Sequence, residues 1–331
     1  MITRRWLVID TVFGLLAQAR KRLPAEIIDY HQYVYSPEAA ARTSAGGKGW
    51  KGVDSKTLIA DLDTAAIQRA VVLSLAYDFA NPNKPAVSNE YEHVKAENDW
   101  AGAQIAKYPK RLVGFCSVNP LRPYALAEIA RCAKNPNLCT GLHLHFGNSD
   151  VNVDSPEDLA RVRQVFRAAN QHQMAILVHE HANEAHHRPY GAREARIFLE
   201  QLLPEVPDVT TQIAHLSGAG GYDDPTTDQA LSVFVKAMER KDSRVKNLYF
   251  DTSGIAIPGM WEDKTALIVK RLRQIGISRV LYGSDVAIPG NLPKEALQRW
   301  HKLPLTQKEF RAIESNVTPY LRNWLQRVRT N

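Results

Sequence analysis

The sequence predicts an α/β fold, specifically a (β/α)8 barrel with loop insertions and additional helices at its C-terminal end. Eight short apolar runs between residues 26 and 284 have the composition of strands, and amphipathic helical patterns separate them. The chain has 331 residues, enough for one barrel of roughly 250 residues with insertions. Strands that alternate with helices form a parallel sheet, and eight such strands close a barrel.

The predicted strands are mostly apolar and β-branched, as expected for strands that are buried on both faces. They cover Glu26–Asp29, Ala70–Leu75, Leu112–Val118, Thr140–Phe146, Met174–His179, Val209–His215, Leu248–Thr252 and Arg279–Ser284. A doubly wound open sheet would carry a glycine-rich phosphate loop after its first strand. Asp29-Tyr30-His31-Gln32-Tyr33 follows instead, which favours the barrel.

Helical patterns fill the gaps between the strands. Ser155-Pro156-Glu157-Asp158 is a capping box with proline at the first helical position, and it predicts the start of a helix. The other predicted helices are Thr57–Gln68, Glu90–Lys107, Ala125–Ala133, Ala192–Leu203, Gln229–Glu239 and Thr265–Ile275, followed by two near Lys294–Lys302 and Thr306–Arg327.

Residues 1–22 precede the predicted barrel, which spans residues 23–331. The basic Met1–Arg5, the apolar Trp6–Leu16 and the Ala-Gln-Ala pattern at 17–19 are typical of a secretory signal peptide. Asp10 interrupts the apolar run and favours an ordinary N-terminal helix instead. The first interpretation predicts an exported or periplasmic protein rather than a cytoplasmic one. No other stretch is long and apolar enough to predict an integral membrane protein.

The formal net charge is +7, yet no dense Lys/Arg block is interleaved with aromatic residues. We therefore expect no nucleic-acid partner, but a small-molecule substrate, of which an anion such as a carboxylate fits the charge. The three cysteines form no C-x-x-C pattern, which argues against a zinc ribbon, and three cysteines do not make a disulfide framework. The sequence leaves a homo-oligomer open.

Histidine and aspartate residues recur where the predicted strands end, at the edge where barrel enzymes build their active sites. These residues are His31, His143, His145, His179, His181, His215 and Asp285. Residues two apart on a strand share a face, so we expect His31 and Tyr33 to point the same way. Histidine with carboxylate is the ligand set that suits zinc and similar divalent ions.

With these residues the chain resembles the amidohydrolase superfamily, and within it the amidohydrolase 2 group of metal-dependent TIM-barrel hydrolases and related decarboxylases. The resemblance extends from about Ile27 to Leu325. Its motifs are Ile27-Ile28-Asp29-Tyr30-His31, Val178-His179, Ala214-His215-Leu216-Ser217-Gly218, Leu281-Tyr282-Gly283-Ser284-Asp285 and the C-terminal Ile313-Glu314-Ser315-Asn316-Val317-Thr318-Pro319-Tyr320-Leu321.

The resemblance implies one divalent metal, Zn or Mn, bound by His31, His179 and Asp285. It also implies that Asp285 takes a proton from water and that His215 polarises the substrate or stabilises developing charge. Where a second metal-binding histidine is expected on the first strand, this chain has Tyr33. Where the resemblance implies lysine on the fourth strand, it has His143.

These two departures leave three interpretations open. His143 or His145 supplies the missing ligand nitrogen; or the metal is weakly bound or absent, as in metal-free lactonases of the superfamily; or the barrel is degenerate and non-catalytic. The function that we expect is metal-assisted hydrolysis of an amide, lactone or ester, with non-oxidative decarboxylation of an aromatic or unsaturated acid as the alternative. Tyr33, His181, Arg188 and Trp261 are the expected substrate-binding residues.

Overall fold

The computed structural model describes residues 26–43, 52–181, 190–222, 225–259, 261–285 and 292–330. Eight parallel strands in these ranges form one sheet whose spatial order equals the sequence order. The strands are β1 (Ile28–Tyr33), β2 (Arg69–Leu73), β3 (Leu112–Ser117), β4 (Gly141–His145), β5 (Ala175–His179), β6 (Thr211–Ile213), β7 (Leu248–Asp251) and β8 (Val280–Leu281). The predicted (β/α)8 barrel is thereby confirmed.

Two backbone hydrogen bonds join β1 to the segment that follows β8 and bring the sheet close to closure. The amide of Tyr30 donates to the carbonyl oxygen of Tyr282 (2.9 Å), and the amide of Asp285 donates to the carbonyl oxygen of His31 (3.0 Å). The second bond places Asp285 beside the end of β1, although the two lie far apart in sequence.

Helices alternate with the strands and follow the last one. They are α1 (Pro37–Thr43), α2 (Ser55–Thr64), α3 (Glu90–Ile105), α4 (Ala125–Cys132), α5 (Phe146–Ser149), α6 (Pro156–Gln171), α7 (Ala192–Ile197), α8 (Pro225–Glu239), α9 (Thr265–Ile275), α10 (Pro293–Trp300), α11 (Gln307–Glu314) and α12 (Pro319–Thr330). Ser155 caps α6 as predicted, because its side chain accepts a hydrogen bond from the amide of Asp158. No described helix is both long and apolar enough to cross a membrane.

Several strand boundaries differ from the prediction. Strand β1 begins later and includes His31 and Tyr33, with a shift in its register to β2 between Asp29 and Gln32. Strand β6 ends at Ile213 because His215 and Leu216 have left-handed φ values of 53° and 51°. Strand β8 also ends earlier than predicted.

The predicted closing helix Thr306–Arg327 is two helices, and the reason is local chemistry. The side-chain amide of Asn316 donates to the carbonyl oxygens of Ser278 (2.6 Å) and Val280 (3.1 Å), which ties this segment to β8. Pro319 then starts α12, and a proline disfavours helical geometry at the residue before it.

The apolar core has two layers, which follow from the alternation of side chains along each strand. On β5, Ala175 and Leu177 face the barrel interior, whereas Ile176 and Val178 pack against the outer helices. The same alternation turns His179 inward. Tyr320, Leu321 and Trp324 of α12 join the interior layer.

The expected boundary at residue 22 lies outside the described residues, so it stays a prediction.

Candidate metal and active site

His31 on β1 is fully buried and held by the end of β7. Its Nδ1 lies 3.1 Å from Oδ2 of Asp251 and 3.0 Å from Oγ of Ser253. A carboxylate only accepts hydrogen bonds, so Asp251 keeps a proton on Nδ1 and makes Nε2 the nitrogen available to a ligand. Nε2 faces the hydroxyl of Tyr33 at 2.8 Å and Oδ1 of Asp285 at 3.6 Å. The expectation that His31 and Tyr33 share a face is confirmed.

A second chain of hydrogen bonds orients His179 on β5. Nδ1 of His215 lies 2.7 Å from the carbonyl oxygen of Ser253, which can only accept, so this nitrogen carries the proton. Nε2 of a neutral His215 is then an acceptor, and Nδ1 of His179 donates to it at 3.1 Å. Nε2 of His179 is left with its lone pair, 3.5 Å from the hydroxyl of Tyr33.

These two chains direct Nε2 of His31 and Nε2 of His179 toward one region, with the carboxylate of Asp285 at its edge. Among the described residues, His31, His179 and His215 form a buried group whose candidate ligand atoms lie within 4.8 Å of one another. Asp285 lies outside this group, with its Oδ1 3.6 Å from Nε2 of His31. Catalytic zinc sites use three protein ligands, so His31 and His179 with one further donor suffice. The chemistry of these side chains therefore fits one divalent ion.

The hydroxyl of Tyr33 lies between the two imidazoles, where it contacts His31 and His179. Burial raises the pKa of this phenol well above its ordinary value, and the carboxylates of Asp285 and Asp251 add to the effect. Tyr33 therefore stays neutral and acts as a hydrogen-bond partner.

Asp251 is the carboxylate to which several residues of the site donate hydrogen bonds. It is completely buried and accepts hydrogen bonds from Nε2 of Gln212 (2.7 Å), the amide of His215 (3.1 Å) and the hydroxyl of Ser253 (2.5 Å). Burial by itself would raise the pKa of Asp251, but His31 and these donors hold it well below its usual range. Burial lowers the pKa of His31, yet the carboxylates of Asp251, Asp285 and Asp29 together more than offset this, and the pKa is raised.

The backbone near these residues adopts conformations that side chains rarely take. His215, Leu216 and Ser217 have φ values of 53°, 51° and 72°, and Asp285 has 56°. Each such residue costs of order 1 kcal/mol or more, and this strain is typical of functional sites. Gly254, with φ 64°, packs so closely that a Cβ atom there would lie 3.2 Å from both His215 Nδ1 and Asp285 Oδ2.

Two histidines of β4, His143 and His145, also border the site and pack against His179. His143 is fully buried, and its Nδ1 lies 3.0 Å from the carbonyl oxygen of Ser74. Burial lowers the pKa of His143 to about 3. His145 stacks on His179 with ring centroids 4.4 Å apart, and its Nδ1 accepts a hydrogen bond from the amide of Asn148 (3.0 Å). Both histidines lie outside the group of three that could hold an ion.

The remaining expected residues are placed less centrally. The ring of His181 packs on that of Tyr190, with centroids 4.2 Å apart. Trp261 is buried in the core layer between the strands and the outer helices. Arg188 lies outside the described residues. His215 is hydrogen-bonded at both ring nitrogens, so the role expected for it in polarising a substrate requires its contact with His179 to break.

Three further residues join the site without having been predicted. Asp251 is the last residue of β7, so the rule that selected Asp285 could have found it. Ser253 lies two residues beyond it. Tyr77 lies in a short 3-10 turn after β2 and packs against His143, with ring centroids 5.3 Å apart. No motif around Tyr77 in the sequence identifies it as a residue of the site.

Comparison with known proteins identifies the family of this chain. The amidohydrolase family model matches residues 29–316. No curated protein matches the sequence.

Solved structures of similar fold include decarboxylases and a hydrolase. A probable 2-pyrone-4,6-dicarboxylic acid hydrolase from Acinetobacter baumannii has a TM-score of 0.58 and 17% identity, covering 87% of this chain and 96% of that one. A 5-carboxyvanillate decarboxylase from Novosphingobium aromaticivorans, complexed with manganese, has a TM-score of 0.60 and 16% identity, covering 91% and 96%. A 2,6-dihydroxybenzoate decarboxylase from Rhizobium has a TM-score of 0.60 and 15% identity, covering 92% and 99%. The TM-scores show a shared fold.

Proposed function

This chain belongs to the amidohydrolase family, and we propose that it is a hydrolase in which water attacks the carbonyl carbon of a small amide, lactone or ester. The observation that carries the proposal is the convergence of Nε2 of His31, Nε2 of His179 and the carboxylate of Asp285 at the mouth of the barrel. Active sites of this fold are built at that end.

We assign His31, His179 and Asp285 as the residues that would hold one divalent ion, Zn or Mn. When bound, such an ion would supply Lewis acidity, which lowers the pKa of water and polarises a carbonyl group. Asp251 fixes the proton of His31 on Nδ1, and His215 does the same for His179, so both histidines present Nε2. Partners of this kind orient metal-binding imidazoles in many proteins.

Asp285 is the proposed general base. It takes a proton from water as the oxygen bonds to the carbonyl carbon, and it returns the proton to the leaving oxygen or nitrogen. Its side chain is 23% exposed, whereas that of His31 is completely buried, so Asp285 is the more accessible of the two to an incoming substrate.

Non-oxidative decarboxylation of an aromatic or unsaturated acid is the second candidate, and burial is the observation that favours it. His31 and His143 are 0% exposed and Tyr33 is 4% exposed. A carboxylate that enters such a dry site loses its hydration, which assists the loss of CO2. In this reaction a proton replaces CO2 on the carbon, and Asp285 would deliver it.

One panel of reactions separates these candidates. Purified protein supplied with Zn2+ or Mn2+ is incubated with lactones, aryl esters, anilides and hydroxybenzoic acids, and both acid release and CO2 are measured. We expect hydrolysis by the wild type and its loss in Asp285→Asn. Release of CO2 without hydrolysis would establish the second candidate. No turnover of any compound would support the non-catalytic barrel.

A further inference from the structure

His143 presents a buried hydrogen-bond acceptor that the proposed mechanism does not use. Its Nδ1 lies 3.0 Å from the carbonyl oxygen of Ser74, which can only accept, so Nδ1 carries the ring proton. Nε2 then holds a lone pair. Within the described parts of the chain, no group forms a hydrogen bond with Nε2, although the residue is 0% exposed. Buried acceptors without a partner are rare, because native structures pair almost all of them.

The rings around His143 explain why it stays neutral. Tyr33, Tyr77 and His179 surround it, with ring centroids 5.9, 5.3 and 5.2 Å away. A second proton on Nε2 would place an unpaired positive charge inside the barrel, which is strongly unfavourable. Nε2 is therefore suited to accept a hydrogen bond.

The position of His143 joins this acceptor to the proposed reaction centre. His143 and His145 lie on the same face of β4, and His145 pairs in register with His179 of β5. A molecule held near His31 and His179 would thus meet the ring of His143.

We propose that His143 determines specificity by accepting a hydrogen bond from a hydroxyl or N–H group of the substrate. This specificity role rests on the proposed function, because it requires that the site binds a substrate. A carboxylate at that position is disfavoured, because its oxygens and Nε2 are both acceptors. The preferred substrate therefore carries a donor group beside the reacting carbonyl or carboxyl group.

The first test is independent of turnover. Full-length protein labelled with 15N-histidine is titrated with phenol and, separately, with its O-methyl ether anisole, and the ring nitrogens are observed by NMR. We expect Nδ1 of His143 to be protonated, and its Nε2 resonance to shift saturably with phenol and not with anisole. A protonated Nε2, or equal shifts with both probes, would overturn the proposal.

His143→Asn assigns the resonance and serves as the matched variant, because its amide nitrogen can still donate to the carbonyl oxygen of Ser74. If His143→Asn does not fold, His143→Gln supplies the assignment and the wild-type titration still decides. For any substrate found active, wild type should prefer the hydroxylated compound over its O-methyl ether by roughly tenfold or more in kcat/KM. In His143→Asn we expect this preference to vanish, and its persistence would contradict the proposal. If no compound reacts, the proposed function fails while the NMR titration still tests His143.

Discussion

The two sides of the barrel mouth differ in charge and in backbone strain. The acidic wall, formed by Asp251, Ser253 and Asp285, carries two carboxylates and lies beside residues with positive φ. The aromatic wall, formed by Tyr77, His143 and His145, consists of rings packed edge-on or tilted against one another. Under the two proposals above, the acidic wall moves protons and the aromatic wall selects the substrate.

Replacing the proposed base should have the largest effect. Asp285→Asn keeps the shape of the side chain but removes its basicity, so we expect kcat to fall by about 10²–10⁴-fold. Steady-state kinetics on a compound from the active panel measures this.

Asp228→Asn is the matched control. It breaks an ion pair with Arg271 (2.7 Å) that lies between α8 and α9, so it should lower the melting temperature and leave kcat unchanged. An Asp285→Asn variant with wild-type kcat would remove the acidic wall from the mechanism.

Asp251 should matter less for the rate, because it acts through His31. We expect Asp251→Asn to lower activity and metal affinity by about 10–100-fold, as is common for partners of metal-binding histidines. The proton of His31 should also lose its fixed place on Nδ1, which 15N NMR of the ring detects. A variant that is merely less stable, with the wild-type tautomer of His31, would assign Asp251 a structural role only.

The residues of the site differ in how well they could be predicted from the sequence. His31, His179, His215 and Asp285 follow from one rule, that side chains at the C-terminal ends of barrel strands meet. The shared face of His31 and Tyr33 follows from alternation.

Other features depend on contacts that a sequence does not display. The tautomers of His31 and His143 are set by Asp251 and by the carbonyl oxygen of Ser74, both distant in the chain. Tyr77 comes from a turn without a motif. The short β6 results from the left-handed φ of His215, and histidine is not a residue type whose presence predicts such a φ. The break before Pro319 needs the contact of Asn316 with β8.

Burial of His143 should make the fold sensitive to acid. Its pKa falls from 6.5 to about 3 on folding, so between these values the unfolded chain binds a proton that the folded chain does not. The free energy of unfolding therefore rises with pH in this window, and decreases as pH falls, by at most about 1.4 kcal/mol per unit.

Urea unfolding at several pH values measures this slope for the wild type and for His143→Asn. The contributions of the other titrating groups largely cancel in the difference. We expect a shallower slope in the variant, whereas equal slopes would mean that His143 is not buried in its neutral form.

Removing the hydroxyl of Tyr33 should have the smallest effect. This hydroxyl lies 2.8 Å from Nε2 of His31, the atom proposed to bind an ion. In Tyr33→Phe that competing hydrogen bond is absent, so we expect Zn2+ to bind roughly twofold to tenfold more tightly. Calorimetric titration measures this affinity, with Tyr91→Phe as the control, because the hydroxyl of Tyr91 donates to Glu128 (3.2 Å) between α3 and α4. Weaker binding in Tyr33→Phe would instead make the hydroxyl part of the ion site.

Metal titration of protein stripped with a chelator tests the proposed ion site. We expect one Zn2+ or Mn2+ per chain in the wild type, and loss of that binding in His179→Ala. His145→Ala is the matched control, because His145 stacks on His179 but uses its Nδ1 to accept from the amide of Asn148. Binding should survive in this control. Absence of ion binding in the wild type, or undiminished binding in His179→Ala, would rule out the proposed ion site.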